Sequence, residues 1–106
     1  MLYAALKAGF EWGLLVAMKV VPANDGVHKW VAVFKDGKSA SFGAKGADDY
    51  TLTRDKEQRT RYRARHEKDL RSGDPQKPGF LSYYLLWGPS SSLSVNIKAY
   101  EKRFKV

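Results

Sequence analysis

The chain has 106 residues, of which 43% are hydrophobic and 28% charged, a composition typical of one soluble globular domain rather than of a disordered chain. It contains no cysteine, which excludes disulfides, zinc–thiolate clusters and a thiol nucleophile. Its formal net charge is +8, and the part from Arg54 onward carries +7 of it, with thirteen basic residues against six acidic ones. This asymmetry predicts a polyanionic or acidic partner, and the alternative is a globular protein that is basic without one.

The first seventeen residues are largely apolar. Lys7 and Glu11 interrupt them well short of the roughly 20 residues that span a bilayer, and no charged region precedes the apolar run as in a signal peptide. Large apolar residues recur every four positions and predict one helical face: Leu2, Leu6, Phe10 and Leu14. Residues 1–17 are therefore either an amphipathic docking segment or an extension before a second start at Met18, and residues 18–106 form a single α+β domain.

Three apolar, β-branched runs predict an antiparallel sheet in the N-terminal half. They are Leu14–Val21, Lys29–Lys35 and Lys38–Gly43. Asp36 and Gly37 join the last two, and Asp-Gly is a strong hairpin signal because the turn requires positive φ. Alternating residues on both faces of Lys29–Lys35 are apolar, so we expect this strand to be central and covered by helices on at least one face.

Two short motifs after the hairpin could be mistaken for ligand sites. Gly43–Gly46 includes Lys45 but lacks the spacing of a phosphate-binding loop, so a structural turn is expected. Asp48 and Asp49 are adjacent carboxylates without further acidic ligands nearby, which is typical of a solvated helix start or of a turn. We expect no metal, no cofactor and no catalytic residue.

Three helices are predicted to follow the sheet. The first is the charged segment Arg54–Arg71, ended by the prolines and glycine of Asp74–Gly79. The second is Phe80–Trp87, which is apolar around most of its circumference and should be buried. The third is Leu93–Phe104, with Ser91 or Ser92 as its N-cap. The predicted architecture is thus α+β, with a sheet of about three strands packed against about three C-terminal helices.

The charged segment is the part of the sequence most suggestive of a partner. It has eight basic and four acidic residues, which we expect to pair at i, i+4 spacing and so to halve its free positive charge. Tyr62, His66 and Leu70 form an inward stripe, with His66 bonded to backbone or a carboxylate rather than acting as a base. The predicted partner-binding face consists of Arg59, Arg61, Arg63, Arg65 and Arg71. Its mixed charge suits a protein better than DNA, whose phosphates the acids would repel.

The order of motifs resembles a small family encoded by the nucleocytoplasmic large DNA viruses of algae and amoebae. The matching segments are Phe42–Gly46, Asp49–Thr51, Arg61–His66, Leu81–Gly88, Leu93 and Asn96–Ile97. The resemblance extends from about Lys29 to Phe104. The family has no established activity, so it implies a viral origin and carries over no catalytic residues.

These observations lead to an expected function. We expect a non-enzymatic virion protein, a minor capsid or capsid-associated component that contacts other virion proteins and is present in the host cytoplasm during assembly. The alternative is a basic nucleic-acid-binding accessory protein of a large DNA virus. An enzyme is the third reading, for which no nucleophile, base and oxyanion set is identifiable.

Overall fold

The computed structural model describes residues 18–106, so the predictions for residues 1–17, including the start of the first predicted strand, lie outside the described residues. The strands are β1 (Met18–Pro22), β2 (His28–Phe34) and β3 (Ser39–Ala44). The helices are α1 (Tyr50–Thr53), α2 (Lys56–His66), α3 (Pro78–Leu81) and α4 (Leu93–Phe104). A 3-10 turn, Glu67–Leu70, follows α2, and a π-helical turn, Ser82–Leu86, follows α3. The predicted α+β architecture is confirmed.

The sheet is antiparallel in the order β1-β2-β3, with β2 at its centre as predicted. Asp36 and Gly37 form the predicted turn: the Gly37 N–H donates to the Phe34 carbonyl at 2.9 Å, and Gly37 has φ of 90°. The Asp36 carboxylate accepts the Lys38 N–H at 2.9 Å, which closes the turn. The register pairs Trp30 with Phe42 and thereby aligns large apolar side chains on the face that forms the core.

The helices cover that face of the sheet. Ala32, Phe34 and Phe42 are buried against the helical half of the chain. The helical contribution to the same core is Leu81, Leu85, Leu86, Trp87 and Tyr100. Burial of Trp87, whose side chain is only 7% exposed, confirms that the aromatic run belongs to the core.

The charged segment is not one continuous helix, contrary to prediction. Arg54 adopts a left-handed conformation (φ 58°) and ends α1 by donating its N–H to the Tyr50 carbonyl. A new helix then begins, because the Asp55 side chain accepts the N–H groups of Glu57 and Gln58 at 3.0 Å each. After His66 the chain tightens into the 3-10 turn.

The apolar segment also departs from a regular helix. It begins at Pro78, two residues before the predicted start, and proline suits the first turn because its missing N–H would be unpaired there. The Trp87 N–H donates to the Ser82 carbonyl at 3.1 Å, five residues back, which widens the last turn into a π-helix. The final helix has the predicted bounds, and Ser92 is its N-cap, accepting the Val95 N–H at 3.3 Å.

No helix within residues 18–106 is both long enough and apolar enough to cross a membrane.

Candidate partner-binding surface

The five arginines of the predicted face do not share one face of the molecule. Arg59 and Arg63 are one turn apart on α2 and half-buried, whereas Arg61, Arg65 and Arg71 are exposed. An α-helix turns 3.6 residues per revolution, so residues two apart project in nearly opposite directions. The predicted face is therefore divided into an inward pair and an outward set.

Arg59 is anchored to the loop that follows the π-helical turn. Its Nη1 donates to the carbonyl oxygens of Gly88 at 3.1 Å and Pro89 at 3.2 Å. Its guanidinium carbon lies 4.6 Å from the centre of the Tyr50 ring, a distance at which a cation is attracted to an aromatic face. One side chain thus ties α2 to both α1 and this loop.

Arg63 is anchored in the same way one turn later. Its Nη1 donates to the Trp87 carbonyl at 2.7 Å and more weakly to the Tyr83 carbonyl at 3.4 Å. Its guanidinium lies 4.2 Å from the Tyr83 ring centre. The last carbonyls of a helix lack partners within it and carry partial negative charge. Arg59 and Arg63 supply that end with donors and positive charge from a neighbouring helix.

The outward arginines form a cationic surface on which the positive charges are not paired with carboxylates of residues 18–106. Arg65, Lys68 and Arg71 line one shallow groove at the end of α2, and Arg61 lies one turn before Arg65. We call these four residues, Arg61, Arg65, Lys68 and Arg71, the exposed cationic surface. Glu67 also lines the groove, so the surface keeps some mixed character.

The predicted charge ladders do not form. Within residues 18–106 the ion pairs join His28 to Asp25, Lys29 to Asp49 and His66 to Asp69. The acids of the charged segment have other roles: Asp55 caps α2 and Asp69 binds a histidine. No arginine of α2 has a carboxylate within 4.0 Å in this part of the chain, so the expected halving of the free charge is wrong.

The predicted inward stripe is confirmed on α2 for Tyr62 and His66, which are half-buried, whereas Leu70, also half-buried, lies in the 3-10 turn after α2. Tyr62 stacks between two rings, with His66 at 4.1 Å and Trp87 at 4.3 Å between centroids. His66 Nδ1 lies 2.8 Å from Asp69 Oδ2, which agrees with a carboxylate-bonded histidine. Burial, reinforced by the negative charge of Asp69, raises the pKa of Tyr62 above its ordinary value. The stack therefore fixes the rotation of α2 about its axis and determines which arginines face outward.

Asp49 is buried, whereas the sequence predicted a solvated carboxylate at this position. It caps α1, but its side chain is only 2% exposed and pairs with Lys29 Nζ at 2.5 Å. It also accepts the Thr51 N–H at 2.8 Å and the Thr51 hydroxyl. The pair links β2 to α1, and Lys45 lies in an exposed turn as predicted. Residues 18–106 contain no cluster of three or more acidic or histidine side chains that could hold a metal ion.

Asn96 is a structural residue that sequence reasoning named only as part of the viral resemblance. It is 1% exposed. Its amide donates to the Leu85 carbonyl at 2.9 Å and the Ser90 carbonyl at 2.8 Å, and its oxygen accepts the Ser90 N–H at 3.1 Å. Its position within the apolar stripe between Leu93 and Ile97 was the available signal, because a polar residue on such a stripe requires buried partners.

The comparisons with known proteins give one match. Residues 18–66, just under half of the chain, match a family of unknown function (DUF5754). The matched part contains the sheet, α1 and α2, and it ends before the loop that Arg59 and Arg63 bind. No curated protein and no solved structure matches the chain. The similarity therefore links the chain to other proteins without indicating an activity.

Proposed function

We propose that this chain is a non-enzymatic structural component of a virus particle, a minor capsid or capsid-associated protein that contacts a neighbouring protein through its exposed cationic surface. The viral setting rests on the resemblance of the motifs between Lys29 and Phe104. The mode of binding rests on the arrangement of arginines around α2.

The observation that carries the proposal is that the arginines of α2 have two different roles, one structural and one exposed to a partner. Arg59 and Arg63 bind main-chain carbonyls, and Tyr62 is stacked against Trp87. Consequently α2 is held in one rotation, and Arg61 and Arg65 project from a rigid element. Guanidinium groups on a rigid support lose less conformational freedom when they form bidentate bonds with carboxylates.

The presence of Glu67 beside Arg65 and Lys68 favours a protein partner over DNA. A protein surface can offer both acidic and basic groups and so match a mixed patch. A phosphate backbone offers only negative charge and would be repelled by the carboxylate.

The test is the composition of purified particles. The proposal predicts that the chain is found in gradient-purified particles at a fixed ratio to the major coat protein and resists removal by nuclease. Detection only in infected-cell lysate, with none in particles, would overturn it.

Nucleic-acid binding is a second candidate, favoured by the absence of ion pairs between the α2 arginines and carboxylates within residues 18–106. A filter-binding titration with duplex DNA at about 50 and 200 mM salt tests it. Binding through six or more phosphate contacts should weaken by about a thousandfold or more across that range. No retention of DNA at the lower salt concentration would eliminate this candidate.

A further inference from the structure

A cleft of about 200 Å³ opens on the side of the molecule where α2, the π-helical turn and α4 meet. Arg63 comes from α2, Tyr84 from the π-helical turn, and Arg103 from the last turn of α4. The remaining lining residues are Pro89, Asn96, Ala99, Tyr100 and Phe104. The cleft is separate from the exposed cationic surface, because it shares no residue with that surface.

The cleft is positively charged and has an aromatic wall. The guanidinium carbons of Arg63 and Arg103 lie 5.9 Å and 5.1 Å from the centre of the Tyr84 ring. No carboxylate is among the lining residues. A second, more open groove continues from Arg63 and Pro89 and adds Arg59. Positive charge is thus concentrated around an apolar surface.

Both guanidinium groups retain donors for a ligand. The main-chain bonds of Arg63 use Nη1, and its Nε and Nη2 make no hydrogen bond within residues 18–106. Arg103 is exposed and makes no hydrogen bond or ion pair in that part of the chain, and its guanidinium lies over the rings of Tyr84 and Phe104. Two guanidinium groups near one ring can share a carboxylate through charge-assisted hydrogen bonds.

The size of the cleft limits what can enter it. Small-molecule sites are usually about 300–1,000 Å³, which is larger than this cleft. A cavity of about 150 Å³ holds one benzene ring, so about 200 Å³ suits a single aromatic or large aliphatic side chain. The apolar wall suits such a group, and the arginines suit a carboxylate next to it.

We propose that this cleft binds an acidic segment of a partner protein, in which a carboxylate neighbours an aromatic or large aliphatic side chain. The carboxylate pairs with Arg63 and Arg103, and the apolar side chain packs beside Tyr84. The proposal rests on the proposed protein-binding function, and it adds a second site with its own ligand chemistry. A stacked nucleic-acid base is disfavoured, because Tyr100 is only 2% exposed and the half-buried Tyr84 ring already packs against the rings of Tyr83, Tyr100 and Phe104.

The test is a titration of the full chain followed by NMR. The ligand is a blocked peptide, Gly-Glu-Phe-Glu-Gly, and the comparison ligands are the same peptide with both glutamates replaced by glutamine and an eight-nucleotide oligothymidylate. The proposal predicts saturable shifts of the Nε–H signals of Arg63 and Arg103 with the acidic peptide and at least tenfold weaker binding of the glutamine peptide.

The matched variants are Arg103→Gln and Lys102→Gln, which remove the same charge from adjacent exposed positions of α4. Arg103→Gln should weaken peptide binding about tenfold or more, and Lys102→Gln less than about twofold. Equal losses of affinity in the two variants would show that only the net positive charge matters, and they would overturn the proposal. The absence of shifts with the acidic peptide would also overturn the proposal. So would tighter binding of the oligothymidylate than of the peptide, if Arg103→Gln abolishes that binding.

This outcome is separable from that of the proposed function. Peptide binding at the cleft by a chain that never enters particles would contradict the virion role alone. If the chain is incorporated into particles but its cleft does not bind the peptide, only the proposal for the cleft is contradicted.

Discussion

At the scale of single residues, arginines of one helix have different roles. Arg63 satisfies main-chain carbonyls at the end of a neighbouring helical segment, whereas Arg61 is exposed two residues away. The difference comes from the direction of each side chain and not from local sequence, since both lie in an Arg-x-Arg context. The same residue type thus supports the core at one position and is available to a partner at another.

Arg63→Gln should lower the free energy of unfolding by about 2–3 kcal/mol, because hydrogen bonds from a charged donor are lost and two carbonyls lose a partner. Arg61→Gln is the control and should change it by less than about 0.5 kcal/mol, since this side chain is exposed. Urea unfolding followed by circular dichroism measures both. Similar losses in the two variants would contradict the structural role of Arg63.

Tyr100 makes the stability depend on pH in alkaline solution. Its hydroxyl donates to the Pro75 carbonyl at 2.5 Å, and burial raises its pKa above the ordinary value. Negative charge on Tyr84 and Asp74 acts in the same direction. The folded state therefore holds the proton more tightly than the unfolded state. The resulting stability is complete below about pH 10 and declines above it by up to about 1.4 kcal/mol per pH unit.

Tyr100→Phe should remove this pH dependence. At pH 8 the variant should be less stable than the original by about 1–2 kcal/mol, because the Pro75 carbonyl loses its donor. At pH 11 the gap should narrow by about 1.4 kcal/mol, because only the original chain must keep Tyr100 protonated. Urea titrations at the two pH values measure the gap, and an unchanged gap would show that Tyr100 is not the responsible group.

At the scale of elements, the π-helical turn and the loop after it connect α2 to α4. A Cβ at Gly88 would lie 2.0 Å from the Tyr84 carbonyl oxygen, so only glycine fits there. Asn96 of α4 binds the Leu85 and Ser90 carbonyls on either side of this position. The loop is therefore held from α2 by arginines and from α4 by one asparagine.

Asn96→Ala should lower the free energy of unfolding by about 3 kcal/mol or more, since it leaves several buried main-chain groups without partners. Val95→Ala is the control from the adjacent position, where the side chain is 53% exposed, and it should cost less than about 0.5 kcal/mol. Thermal or urea unfolding gives both values. A loss below about 1 kcal/mol for Asn96→Ala would contradict its bridging role.

Elements with local signals could be predicted from the sequence. The turn at Asp36 and Gly37 and the helix Leu93–Phe104 depend on turn chemistry and on apolar periodicity, which are properties of neighbouring residues. The break at Arg54 could not be predicted, because a left-handed arginine is imposed by the joining of α1 to α2. The inward direction of Arg59 and Arg63 also depends on main-chain carbonyls 20 to 30 residues away in sequence. Rules for pairs of neighbouring residues on a helix cannot predict such contacts.

At the scale of the whole molecule, the half of the chain that carries the net charge also supplies most of the core. The sheet contributes Phe42 and its neighbours, while Leu85, Trp87 and Tyr100 come from the charged half. The elements that carry the exposed cationic surface are therefore held in place by the core. Charge reversal at exposed positions should alter binding without unfolding the chain, which makes the proposed function testable by substitution.

The most direct test is incorporation of a charge-reversed chain into particles. The test variant carries Arg61→Glu, Arg65→Glu and Arg71→Glu, and the control carries Lys35→Glu, Lys38→Glu and Lys45→Glu, all at exposed positions. Circular dichroism first establishes that both variants are folded. Quantitative mass spectrometry of particles then compares them, each expressed in infected cells beside a tagged original chain. We predict at least tenfold depletion of the test variant and near-normal incorporation of the control; equal incorporation of the two would contradict the account.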